Sequence, residues 1–187
     1  MRLRIKSKWN NKDREHSVEE VGSVLGFNIW RIAGANVLHL ENEGFQTDTY
    51  HQRLDVVAEL SAFMVHVVDR MVMEKDYDEE DRRELITAMA LNLAKTMHDN
   101  RRDVSQDDDK DKDFRNAYIA LLNERMSEYS GFSFDEGEPG FQLKRRVGDH
   151  VMQNMGEKDR KWVQDQVIEI EIPDAMKTLY KVTRNMI

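Results

Sequence analysis

The sequence predicts an all-α fold, an antiparallel bundle of about six or seven helices, and three observations carry that expectation. No glycine or proline occurs between Gly44 and Gly131, although a β-rich segment of that length needs both for its turns and bends. Apolar residues recur at helical spacing through that stretch, as in Val57, Leu60, Met64, Val67 and Met71, the pattern of a helix packing nearly antiparallel to a neighbour. Helix-start signals stand ahead of the apolar runs, the clearest being Ser17 followed by Glu20, the spacing of a capping box.

Composition narrows the class. Charged residues make up 34% of the 187-residue chain, yet the net charge is only −8 and the hydrophobic fraction is 40%. Disorder needs low hydrophobicity with high net charge, so these charges read as solvated helix faces. Cysteine is absent, which removes disulfides, thiolate metal sites and cysteine nucleophiles. No secretory leader and no apolar run of about 18 residues is present, so the expected compartment is cytoplasmic and no membrane is expected. The acidic balance also argues against nucleic acid, whose phosphates require clustered lysine and arginine.

Residues 1–16 form a basic arm, with Arg2, Arg4, Lys6, Lys8, Lys12 and Arg14 against Asp13 and Glu15. Leu3 and Ile5 alternate with cations there, a short-strand signal. Residues 17–187 are expected as a single helical domain, with a long-helix core (17–130), a loop (131–140) and a C-terminal helical subregion (141–187). The first helix, Val18 to about Glu41, is apolar nearly all round and is therefore expected at the centre of the bundle. Gly22, Gly26 and Gly34 each cost about 1 kcal/mol relative to alanine in such a helix, so close helix approach is expected at them, with a dimer face as the sharper alternative. Gly44 closes this helix.

The second helix opens at Asp48 or Thr49 and runs to about Lys75. The third spans about Glu79 to Asn100, and Arg101 and Arg102 follow its end, where cations suit the helix dipole. Ser105 to Asp113 is an acidic linker. Its alternating aspartates fail as a calcium loop, because Lys112 and Tyr118 stand where glycine and glutamate are required. A fourth helix runs from about Phe114 to Tyr129 and a fifth from about Phe141 to Met155. Another is expected from about Lys158 to Glu171, with Pro173 as the first residue of a terminal helix. Residues 167–172 also alternate like a strand, but a lone strand has no partner.

Chemistry is less legible. His51, Asp55, Glu59, His66 and Asp69 fall within an arc of about 80° on the second helix, opposite its apolar seam. A polar stripe opposite an apolar one reads as a solvated face, and His51 and His66, about 22 Å apart along the axis, cannot share an ion. Short connections bring the end of the first helix, the start of the second and the end of the third together. His39, His51 and His98 fall at that end with Glu41, Glu43, Asp55 and Asp99. Imidazole with carboxylate suits zinc, iron or nickel, which makes these residues candidate metal ligands. Lys144, Arg145 and Arg146 form a basic turn that offers a candidate partner-binding patch.

No Glu-x-x-His pair, zincin, P-loop, dinucleotide or nucleophile-elbow motif occurs. The methionines sit at core spacing, as adaptable filler. The expected function is therefore a non-enzymatic helical interaction module that self-associates as a homodimer and carries no cofactor. The alternative is a metal- or small-ligand-binding enzyme using the histidine–carboxylate end.

Overall fold

The computed structural model describes residues 16–75, 77–105, 112–158, 162–184 and 186–187. The basic arm, apart from His16, and most of the aspartate linker lie outside the described residues, and with them the strand signal at Leu3 and Ile5.

Each long helix starts where side chains satisfy its exposed amide groups. Helix α1 (Val18–Asn42) opens on the expected capping box: Ser17 Oγ accepts from the Glu20 amide at 3.1 Å, and Glu20 accepts from the Ser17 amide at 3.3 Å. Helix α2 (Tyr50–Glu74) repeats the device with Thr49 and Gln52. In α3 (Glu79–Val104) the Asp78 carboxylate accepts from the amides of Glu80 and Asp81. Asp113 does the same for α4 (Phe114–Tyr129) through Asn116.

Helix α1 ends in a Schellman motif. Phe45 donates its amide to Leu40 and Gly44 to Glu41, and Gly44 sits at φ 92°, a conformation that suits glycine. Arg101 and Arg102 lie inside the last turn of α3 instead of beyond it, because that helix continues to Val104.

Paired contacts set the directions of the helices. Asp69 meets Arg82 and Asp55 meets Arg101, so α2 and α3 run antiparallel. Gly22 abuts Leu85 and Ala88, and Gly26 abuts Met89 and Asn92, so α1 runs parallel to α3. Helix α2 packs against α1, α3, α4, α5 and α7. The central element is therefore α2, not the more apolar α1. From Leu54 to Met71 all its residues except Asp55 and Arg70 are buried, whereas α1 leaves Phe27 46% and Leu38 51% exposed.

Residues 131–140 contain a small hairpin, β1 (Phe134–Asp135) paired antiparallel with β2 (Glu138–Pro139). Glu136 and Gly137 between them have φ of 52° and 81°, the paired positive angles of a type I′ turn. Helix α5 (Phe141–Asn154) follows. In place of two separate helices, α6 (Val163–Gln166), a π turn (Val167–Glu171) and α7 (Ile172–Thr183) form one continuous helical run. Pro173 has no amide to donate and its ring crowds the carbonyl four residues back. The wider turn before it carries the chain through, with Ile172 donating to the Val167 carbonyl.

A single hydrophobic cluster links Leu25 of α1 to Leu179 of α7, with Met64, Met89 and Met97 among its fully buried members. Among the described residues no helix is long and apolar enough to cross a membrane.

The glycines of α1 separate cleanly. A Cβ on Gly22 would sit 2.5 Å from the Leu85 carbonyl oxygen and 2.8 Å from the Ala88 Cβ, while one on Gly34 would meet nothing within 4 Å among the described residues. Gly22→Ala is therefore expected to destabilise the fold by about 1–3 kcal/mol through overpacking. Gly34→Ala is expected to stabilise the isolated chain by about 0.5–1 kcal/mol through helix propensity. Urea unfolding of the two variants measures both signs.

Candidate functional site

The bundle end predicted from topology forms, but its histidines diverge. Arg53 reaches back to Glu41 at 2.8 Å, and Arg101 pairs with Asp55, so the ends of α1 and α3 do meet the start of α2. Phe114, the first residue of α4, fills that end. His51 and His98 lie 6.5 and 6.3 Å from its ring centroid, and the Arg101 guanidinium lies 5.8 Å over it.

His39 is turned away toward the C-terminal region. Its Nδ1 hydrogen-bonds Glu171 at 2.7 Å, because position 39 faces α7 on the α1 wheel. The three imidazoles do not form one centre. Asp55 is engaged by an arginine, and among the described residues no group of three or more His, Asp and Glu side chains could hold a metal ion.

The polar stripe of α2 does share one face, but that face is largely covered, not solvated. Helix α4 lies over it, with α3 and α5 at its flanks. Glu59 is 2% exposed and accepts both Arg125 Nε at 2.7 Å and Nη2 at 2.9 Å. Asp69 accepts Arg82 Nε at 2.7 Å. Ser61 and Tyr118 share a buried hydrogen bond of 2.9 Å. Arg125 was not readable as a core residue, since nothing local distinguishes an arginine on an amphipathic helix from a solvated one. The one usable signal was Glu59, a charge flanked by Ala58 and Leu60 within the most apolar stretch of α2.

His66 lies deepest. Its ring meets Tyr129 at 5.8 Å and Phe134 at 6.4 Å, both edge to face, and Arg70 lies 5.8 Å over Phe134. Neither nitrogen of His66 has a hydrogen-bond partner among the described residues, nor does the Tyr129 hydroxyl. Burial pushes the His66 pKa down to about 4, with Arg70 acting the same way and Asp69 against it. Tyr129 in turn lies 6.3 Å from His150, whose Nε2 hydrogen-bonds Glu128 at 2.7 Å. Burial alone would raise the Glu128 pKa, but His150 and Arg146 outweigh it and hold it below the usual value.

The basic turn is accordingly divided. Arg146 is committed to Glu128 of α4, Arg145 is exposed and Lys144 is half-buried, so the three do not present one patch.

The C-terminal run adds what the sequence did not announce. Glu171, at the end of the π turn, is 1% exposed. Its carboxylate accepts from Gln166 at 3.1 Å besides meeting His39, and its carbonyl accepts from Asn36 at 2.8 Å. Beside this pair a groove of about 340 Å³ runs between α1 and α7, flanked by Asp174, Lys177, Thr178 and Lys181. Compared with protein-family models, curated proteins and solved structures, the chain matches none.

Two predictions follow from the buried stripe. With a folded pKa of about 4 against an ordinary value of about 6.5, His66 takes up its proton in the unfolded chain first. Stability should therefore fall by about 3 kcal/mol as pH drops from about 6.5 to 4. His66→Leu should remove that slope in pH-dependent urea melts, while the Glu128 contribution, lost only as pH falls below the ordinary carboxylate range, should persist. Arg125→Met, which strands Glu59, should cost about 3–5 kcal/mol, and adding Glu59→Leu should restore most of it; thermal unfolding of the single and double variants measures the difference.

Proposed function

We propose that the protein is a non-enzymatic helical interaction module that self-associates through the outward face of α1. The observation that supports this most is Gly34. A mid-helix glycine costs about 1 kcal/mol, and unlike Gly22 and Gly26 it has no neighbour among the described residues that a Cβ would meet. A second helix crossing at that point accounts for it.

The residues around it fit that occupant. Phe27, Arg31 and Leu38 share the Gly34 face at the helical spacing of i, i+4, i+7 and i+11, and Phe27 and Leu38 are about half exposed. Arg31 is drawn along the helix over the Phe27 ring, 5.9 Å from its centroid, which clears the centre of the face. A two-fold antiparallel crossing sets Phe27 of one copy opposite Leu38 of the other and lays Arg31 near the space at Gly34. Such a self-complementary patch is what an isologous dimer requires. An acidic, cysteine-free chain also fits a protein partner in a reducing, cytoplasmic compartment better than it fits nucleic acid.

The alternative, a metal- or small-ligand-binding enzyme using the histidine–carboxylate end, has less to support it, since His51 and His98 lie against Phe114 while His39 is bonded to Glu171. Sedimentation equilibrium tests the proposal. The wild-type protein should show twice the chain mass at micromolar concentration, and Gly34→Leu or Leu38→Ser should weaken association at least tenfold without loss of helix content. A wild-type protein that stays monomeric, or variants that associate unchanged, would overturn it.

A further inference from the structure

We propose that the groove between α1 and α7 binds a small molecule carrying an oxyanion, gripped by His39, Lys177 and Lys181. Its foundation is the buried carboxylate of Glu171. A carboxylate 1% exposed and hydrogen-bonded to Nδ1 fixes the orientation of the imidazole and holds a proton on Nδ1, so that the outer Nε2 accepts in the neutral ring and donates when the ring is charged. His39 is the one residue so held among those lining this groove. The carboxylate is delivered there by the π turn, an irregularity that recurs at functional sites.

Charge around the imidazole follows the same direction. Glu171 raises the His39 pKa, through its hydrogen bond first and its charge second, against a smaller opposing effect of burial; Glu43 and Asp174 add to the rise. The Nε2 atom lies 3.9 Å from Glu43, beyond hydrogen-bond reach, and in the charged ring it can donate to an anion in the groove. From α7, Lys177 and Lys181 line the groove one turn apart. Like charges at i and i+4 repel on a bare helix, and a bound anion relieves that repulsion. Two ammonium groups and the imidazole of His39 then face a single volume, with Glu171 and Asp174 in its lining setting a limit on the total negative charge it accepts.

The groove also has a second compartment. It continues as a space of about 220 Å³ that shares Ala35, Asn36 and Thr178 with the first and adds the apolar Ile32 and Val182 beside Asn28 and Arg31. That extent suits a ligand with an anionic head and a body of mixed polarity, within the size range of small-molecule sites. A phosphate ester and a carboxylate share the required head group.

Titration of the full chain with inorganic phosphate, and separately with acetate, at near-physiological ionic strength tests this, with the His39 ring resonances as the readout. A saturable shift of those resonances is expected, together with a rise in the His39 pKa as the anion is added. The exposed double variant Lys177→Gln/Lys181→Gln should weaken binding at least fivefold while leaving the melting temperature unchanged. Glu171→Gln should lower the His39 pKa and weaken binding further. Tighter phosphate marks the ligand as a phosphate ester, and tighter acetate marks it as a carboxylate. The absence of a saturable shift with either anion, or equal affinity in the lysine double variant, would overturn the proposal, and neither result depends on the Glu171 variant folding.

Discussion

Helix α2 is covered along most of its length on both its apolar and its polar sides, and that constraint organises the molecule. A helix with a charged stripe normally turns it to water. Here α4 lies across the stripe, so each charge on it needs a partner from a neighbouring helix. Glu59 takes Arg125 in a bidentate pair, Asp69 takes Arg82 and Asp55 takes Arg101. Those pairs set the register of α3 and α4 against α2, because a shift of one turn would leave a buried carboxylate without its arginine. The cost of such a stranded charge exceeds what most apolar contacts return.

Helix α1 obeys a different rule. Two glycines let it lie directly on the backbone of α3, and that contact turns the opposite side outward with Phe27 and Leu38. Its remaining flank meets α7, where the π turn reconciles Pro173 with a continuous helix and carries Glu171 under His39. The outer face and the groove are thus neighbouring products of one packing decision. One offers apolar area and little directed chemistry. The other offers an oriented imidazole with charges around it.

The histidines show how far environment separates identical side chains. His66 is held neutral by burial among Tyr129, Phe134 and Arg70, whereas His39 is drawn toward the charged form by Glu171. Their contributions to stability consequently run oppositely with pH. That of His66 is lost as pH falls below its unfolded value, and that of His39 is present in acid and lost as pH rises through its raised pKa.

What the sequence determined by itself was local. The caps at Ser17 and Thr49, the closing Gly44, the limits of α4 and the seam of α2 all follow from residues within a few turns of one another, and helix periodicity is a property of the chain segment alone. The antiparallel order of α2 and α3 was also legible, because a short connection leaves little other choice. Which helix sits at the centre was not. Apolarity favoured α1, but centrality belongs to the helix with the most neighbours, and α2 met its neighbours through paired charges. The fates of Arg125, His39 and Glu171 were equally hidden, since each depends on a group tens of residues away. Tertiary structure decided whether a polar face is wet or covered, for the physical reason that burial is set by what arrives to pack on a face, and periodicity reports only that the face exists.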